Sequence, residues 1–340
     1  MSRFRLQQDE ILSIQELLKQ IVGEIETVED PGFQARAMVH AHDLPRRVRQ
    51  ALHEFKLNEP EDGLFLLSGF PVDQERLGRT PAHWKDRSTR SPALAEEVLL
   101  VLLGSLLGDC IAWSTQQDGL IVHDILPIKE HEKEQLGSGS EQPLWWHTED
   151  AFHPYRGDYL GMLCLRNPDA VPTTHASFES LPLDPGLIDL LFEPHYTIRP
   201  DESHQPKNRA ILDAGDADVA ARYEQIERMN RRPEKIPVLF GDRRSPYVRL
   251  DPYFMDPVED NPRAQEALDT LIREIDRRLE EVPLATGDIC FIDNFKAVHG
   301  RKPFKARFDG SDRWLKRINI TRDLRKSRAA RAAASSRVIQ

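Results

Sequence analysis

Trp146-His147-Thr148-Glu149-Asp150 is the stretch on which the reading of this chain turns. In an extended strand, residues two apart project to the same side, so His147 and Glu149 can both reach one ion. A second imidazole is supplied far downstream by His299. Two imidazoles and one carboxylate gathered on one face of a metal leave the opposite face free. Fe(II) working with O2 and a co-substrate needs those open positions. Taken alone, a His-x-Glu triplet occurs often by chance. Its bland reading is a core histidine beside a surface glutamate.

The surroundings of His299 argue against the bland reading. Gly287-Asp288-Ile289-Cys290-Phe291-Ile292-Asp293-Asn294 reads as turn, short apolar strand, turn, and His299-Gly300-Arg301 follows directly. Arg313-Trp314-Leu315-Lys316-Arg317-Ile318-Asn319-Ile320 is a strand-like run. Period-two alternation puts Arg313 and Arg317, four apart, on one face. A guanidinium grips a carboxylate through two parallel hydrogen bonds. A metal site backed by an arginine strand suggests a dicarboxylate co-substrate such as 2-oxoglutarate. Its keto-acid end would meet the iron and its far carboxylate a guanidinium.

The run from His147 to Tyr159, opening His147-Thr148-Glu149-Asp150-Ala151-Phe152, resembles the HTEDAF segment of the clavaminate-synthase-like oxygenases. Within that group it is most similar to the enzymes that hydroxylate free arginine, lysine and asparagine. Leu165-Arg166-Asn167-Pro168, Pro172-Thr173-Thr174, Ala297-Val298-His299-Gly300-Arg301 and Asp312-Arg313-Trp314-Leu315-Lys316-Arg317-Ile318-Asn319 continue the likeness in order, over roughly residues 60–330. The resemblance implies an Fe(II)/2-oxoglutarate-dependent dioxygenase that hydroxylates an unactivated C–H of a free L-amino acid and releases succinate and CO2. A basic amino acid, arginine or lysine, comes first; asparagine or another polar amino acid is the alternative.

The resemblance also implies roles for residues. His147, Glu149 and His299 are the iron ligands, with His123, His153 and His175 ranked below His299 as competitors. Arg313 meets the far carboxylate of 2-oxoglutarate. Thr174 donates its hydroxyl to the same co-substrate, with Thr173 as second choice. Arg317 meets the amino-acid carboxylate or helps hold 2-oxoglutarate. Asp251 falls where relatives place an acid for the distal side-chain nitrogen. Arginine hydroxylases of the group resemble Asp-x-Asp there, whereas this chain has Tyr253 at the second place, with Asp256 as the nearest substitute. A single aspartate suits lysine or an amide as well. Gln116 or Gln117, Ser138 and Ser140 are candidate polar contacts to the substrate. Glu149 can accept from the α-ammonium while binding iron.

Two rival classes share part of this pattern. A cupin-like zinc hydrolase with a metal-bound water would use a similar donor set, but it needs no arginine strand. A degenerate metal-binding protein would have no reason to keep the triad and both arginines.

Composition narrows the field further. The chain has 340 residues, is 39% hydrophobic and 30% charged, and carries a net charge of −10. No basic patch dominates before the C-terminus, so neither nucleic acid nor an anionic membrane has an electrostatic handle. Cys110, Cys164 and Cys290 are few, odd in number and without CxxC spacing, so buried reduced thiols are expected. The polar N-terminus lacks a signal-peptide core, and the longest apolar run, 98–108, is too short to span a bilayer. A reducing cytoplasm fits these features and would keep iron ferrous. A homo-oligomer is compatible with the composition.

Many short strands with helices at the start and inserted late predict a mainly β fold with flanking helices. The expected core is a double-stranded β-helix, or jelly roll, in a single domain. Residues 1–60 form a helical scaffold, 61–324 the jelly-roll core with a helical insert at about 183–233, and 325–340 a flexible tail. Apolar residues at three- and four-residue steps predict helices within 9–56, broken at Pro31-Gly32, and over 92–108, 216–230 and 262–282. The insert is a candidate lid. Strands are expected at 63–71, 111–124 (two, around a turn), 145–149, 159–165, 173–177, 235–240, 247–250, 289–292 and 315–321. Residues 129–142, with Gly137-Ser138-Gly139-Ser140, read as a flexible loop.

Overall fold

The computed structural model describes residues 2–178, 181–205 and 217–340, with the backbone alone at 217–222. In chain order the elements begin with β1 (Ser2–Arg5), α1 (Gln8–Glu24), α2 (Pro31–Ala41), α3 (Arg46–Asn58) and β2 (Leu64–Ser68). Next come α4 (Gln74–Leu77), α5 (Leu94–Leu107), β3 (Asp109–Trp113), β4 (His123–Ile125), β5 (Leu144–His147), β6 (Tyr159–Arg166) and β7 (Pro172–Ser177). The insert contributes α6 (Pro185–Leu191) and α7 (Ala217–Arg231); Asp216, where the second helix was expected to start, lies outside the described residues. The chain continues with β8 (Leu239–Asp242), β9 (Ser245–Val248), α8 (Pro262–Asp276), β10 (Glu280–Pro283), β11 (Ile289–Asp293), β12 (Ala297–Arg301), β13 (Trp314–Thr321) and β14 (Val338–Ile339).

The strands build two principal sheets. The larger runs β1-β2-β11-β6-β13-β3-β14, with β4 also paired to β13; the smaller runs β10-β7-β12-β5. Alternation along each strand sorts the side chains between layers. On the large sheet Phe65, Leu67, Leu163, Phe291 and Ile318 pack with the N-terminal helices, where α5 is buried on nearly all sides. Their neighbours Leu64, Leu66, Met162, Cys164, Cys290 and Leu315 turn inward and meet Val282 and Ala297 of the small sheet and Leu284 just past β10. The small sheet's other face, through Trp146, Ala176 and Val298, rests on Leu268, Leu271 and Ile275 of α8. The fold is therefore mainly β, with helical layers outside both sheets.

Strand β13 carries two kinds of charge. Toward the helices, Lys316 is buried between Glu97 of α5, at 2.8 Å, and Asp124 of β4, at 2.5 Å, and Trp314 donates to Asp124 at 2.6 Å. A buried ammonium needs such partners to remain charged. On the opposite face, Leu315, Arg317 and Asn319 follow Arg313 inward, so one strand ties the helical layer to the interior.

Several expectations are corrected. The helix expected over 262–282 ends at Asp276, and Glu280–Pro283 is strand β10. Leu279, one helical turn past Ile275, disguises the change of period. The segment 129–142 is a packed loop: Ser140 is fully buried, and its carbonyl accepts from the Phe304 amide at 2.9 Å. The 325–340 tail is also packed. Arg331 donates to the carbonyls of Leu324, Ala333, Ala334 and Ser336, Arg337 reaches Asp109 at 2.7 Å, and β14 pairs in parallel with β3. Single long cations capping backbone carbonyls leave no periodic trace in a sequence. Strands β1 and β14 both belong to the large sheet, so its limits reach beyond 61–324. All three cysteines are buried and free. Among the described residues no helix is long and apolar enough to cross a membrane.

Candidate active site

Strand β5 turns Trp146 outward, where its indole N–H donates to Asp276 of α8 at 2.7 Å, and His147 inward. Glu149 is not in the strand, as simple alternation assumed; it lies in the turn just beyond. Asn294 holds it there. The Asn294 side-chain oxygen accepts from the Glu149 amide at 2.6 Å, and its nitrogen donates to the Glu149 carbonyl at 3.0 Å and the Gly157 carbonyl at 2.9 Å. His299 arrives on β12, directly opposite His147 in the antiparallel pairing. Gly300 lets the strands approach so closely, since a β-carbon there would stand 2.5 Å from the Leu144 carbonyl.

His147, Glu149 and His299 bring one ligand-type atom each to within 4.8 Å of the others. Glu149 Oε2 is 3.2 Å from His299 Nε2 and 3.7 Å from His147 Nε2. His147 Nδ1 lies 2.8 Å from the Trp145 carbonyl, so Nε2 is the nitrogen left free for a metal. Burial works against the Glu149 carboxylate, yet Arg317 and the two imidazoles hold it well below the usual range. Burial also opposes a charged His147, but Glu149 and Asp251 lift it to about 9, while burial pushes His299 down.

The competing histidines are engaged elsewhere. His123 Nδ1 accepts from Arg317 at 2.8 Å, His153 packs edge-on to Trp113 with centroids 4.6 Å apart, and His175 donates to the Asp62 carbonyl at 2.6 Å.

Arg313 and Arg301 line the same cavity as the triad. Burial lowers Arg313 to about 10 and Arg301 to about 9, so both remain cationic at neutral pH. Among the described residues neither has a carboxylate partner. Arg301 donates to the Lys302, Ser140 and Gln142 carbonyls, Arg313 reaches only Thr173 Oγ1 at 3.4 Å, and both Nε atoms are buried without an acceptor. Thr174 is corrected here. It sits opposite Gly300 on the other face of β7, and Thr173 is the hydroxyl that faces the cavity. Arg317 does share the inner face with Arg313. It pairs with Glu149 and donates to Gln116 Oε1 at 3.3 Å.

The buried Asp251 lines the cavity with Trp145 and Tyr253. Burial raises its carboxyl to about 7. The neighbouring Leu250 is tied to Thr148 by paired backbone and hydroxyl bonds, which fixes Asp251 relative to the triad. Asp256 is no substitute acid, because it is paired with Arg199 at 2.8 Å and Thr197 at 3.0 Å away from the cavity. Gln116 is buried beside the cavity, whereas Gln117 is engaged with the Asp124 backbone. Ser138 lies in an adjoining depression, bonded to His131 at 2.8 Å, and Ser140 is absent from the cavity lining. Sequence reasoning missed Asp201 and Ser203. Both line the cavity from a short turn in the irregular insert.

The family model described as taurine catabolism dioxygenase TauD, TfdA family matches residues 60–319. The chain belongs to the TauD, TfdA family. Over the full length of both proteins it is 45% identical to the enduracididine beta-hydroxylase of Streptomyces hygroscopicus and 46% identical to the L-ornithine/L-arginine 3-hydroxylase of Catenulispora acidiphila. The crystal structure of the non-heme iron oxygenase OrfP with Fe, succinate and (3S)-hydroxy-L-Arg superposes with a TM-score of 0.95 at 46% identity, covering 100% of each chain. For this TauD, TfdA family member the Asn294 brace gives a direct expectation. Asn294→Ala should weaken Fe(II) affinity by about 10- to 100-fold, the usual cost of losing an outer partner of a metal site. Competition with a coloured chelator measures it, and unchanged affinity would detach Asn294 from the centre.

Proposed function

We propose that this enzyme hydroxylates C3 of free L-arginine, or of a close basic analogue, consuming 2-oxoglutarate and O2 and releasing succinate and CO2. One observation carries the reading. The cavity that holds His147, Glu149 and His299 is also lined by Arg301 and Arg313, which have no carboxylate partner among the described residues, and by the carboxylates of Asp251 and Asp201. A dianionic co-substrate and a substrate with a distal cation neutralise both. The β- and 3-hydroxylase relatives support arginine-type chemistry at C3. As a family member the chain is a non-haem iron dioxygenase with Fe(II), 2-oxoglutarate and O2 as its cofactor and co-substrates.

Two imidazoles and a carboxylate fit Fe(II), which His147, Glu149 and His299 would hold. Bound there, Fe(II) supplies the O2 activation that the keto acid drives. The chain supplies placement. Arg313 and Thr173 grip the far carboxylate of 2-oxoglutarate. Arg317 and Gln116 orient the α-carboxylate, and Glu149 accepts from the α-ammonium. Asp251 draws in the distal cation, and Asp201, remote in sequence, replaces the second acid missing at Tyr253. Trp145 and Tyr253 close the rim against water. The two facing sheets are read as the expected double-stranded β-helix within one oxygenase domain, with the cytoplasm as its compartment.

Incubation with Fe(II), 2-oxoglutarate and each free amino acid, followed by mass detection, tests the reading. Arginine or a near analogue should gain one oxygen atom; gain with asparagine alone, or with no basic amino acid, overturns it. Asp251→Ala should lower kcat/KM for arginine by roughly 30-fold or more, since an unpaired buried charge costs upward of about 2 kcal/mol. An unchanged preference removes Asp251 from the pocket.

A further inference from the structure

Among the described residues a second group of ligand-type side chains stands beside the triad: the buried Asp150 and His204 with the half-buried Asp201. Its atoms are already occupied. His204 is fully buried, with Nδ1 2.7 Å from Thr115 Oγ1 and Nε2 3.1 Å from Asp150 Oδ1. Trp113 and Phe152 hold its ring edge-on, with centroids 5.6 and 4.8 Å away. The Asp150 carboxylate also accepts from the Trp113 indole and from the amides of Gln116 and Asn319, each at 3.2 Å. Four donors saturate one carboxylate, so the cluster is a hydrogen-bond knot and not a second metal centre.

The knot joins what the sequence separates. Asp150 follows Glu149 directly with a left-handed φ of 51°, and its carboxylate meets Trp113 of β3 and Asn319 of β13. On the other side, His204 ends the short turn that carries Asp201 and Ser203 into the cavity. Gln116 completes the link by donating to Ser203 Oγ at 2.5 Å, and that hydroxyl donates to Asp201 Oδ1 at 2.5 Å. We infer that His204 is a positioning residue: through Asp150 it latches residues 201–205 over the cavity and seats Asp201 and Ser203 against the amino-acid substrate, without touching iron or 2-oxoglutarate. The inference rests on the proposed amino-acid hydroxylase activity.

Full-length, iron-loaded His204→Leu and His204→Gln test it. Leucine keeps an apolar side chain and loses both bonds; glutamine places an amide nitrogen near the former Nε2. In His204→Leu the amino-acid KM should rise about tenfold or more, as expected for losing a buried hydrogen bond to a charged group. Succinate should outrun hydroxylated product, because a loosely seated substrate no longer captures each turnover. The anaerobic Fe(II)–2-oxoglutarate absorption and its 2-oxoglutarate dependence should stay within about twofold of the parent, and His204→Gln should recover most of the loss. If His204→Leu leaves KM and coupling unchanged, or weakens 2-oxoglutarate binding as much as amino-acid binding, the latch is overturned. If that variant does not fold, Thr115→Val removes only the Nδ1 partner; a KM shift in the same direction sustains the latch and an unchanged KM overturns it. A parent protein that turns over no basic amino acid fails at the proposed function, which is a separate result from an active parent indifferent to His204.

Discussion

His299→Ala should abolish iron-dependent succinate release, a loss well beyond the roughly hundredfold that removing an outer partner of a metal site costs. Three side chains converge from two parts of the chain: His147 at the end of β5 and Glu149 in the turn after it, and His299 far downstream on β12. With only three protein donors, losing one leaves an ion held by a single imidazole and a carboxylate. The remaining carboxylate is already claimed by Arg317. The measurement is succinate formed per protein with arginine and saturating iron, alongside the visible absorption of the anaerobic Fe(II)–2-oxoglutarate chelate. Both should vanish together. An active variant that retains the absorption would show that the ion sits elsewhere.

Arg313→Ala should raise the 2-oxoglutarate requirement at least about a hundredfold, because stripping one partner from a buried ion pair costs about 3 kcal/mol or more. Arg313 is buried, its Nε has no acceptor, and Thr173 Oγ1 is its one neighbour at hydrogen-bond reach among the described residues. Arg313→Lys should be only a partial repair, since an ammonium offers one point of charge where the guanidinium offers a planar fork. Titrating succinate release against 2-oxoglutarate measures both variants. An unaltered requirement in Arg313→Ala would move the far carboxylate to Arg301, the other cation without a carboxylate on that wall.

Much of the site was legible because its chemistry recurs at strand period. Arg313 and Arg317 share a face because alternation demands it, and His147 pairs across to His299 because both occupy the inner register of neighbouring strands. What alternation could not supply was the choice between Thr173 and Thr174. They point opposite ways, and only the pairing of β7 with β12 decides which looks inward. Asp201, Ser203 and His204 were illegible for a different reason. They lie on an irregular turn bonded through tertiary contacts to Thr115, Gln116 and Asp150. Asn294 read as a turn residue, which it is, while its bonds to Glu149 reach far back along the chain. The tail misled because its order comes from two arginines that cap carbonyls and bind Asp109, a pattern with no period to detect.

The placement of β1 and β14 at the two ends of the large sheet has a practical side. The family model covers residues 60–319, and trimming the protein to those limits would remove both outermost strands, together with α1–α3 and the last two residues of β13, while sparing every residue of the proposed centre. The shortened molecule would expose two bare rows of peptide groups, open to pairing with its neighbours. Its chemistry would be intact on paper and lost to precipitation in the tube.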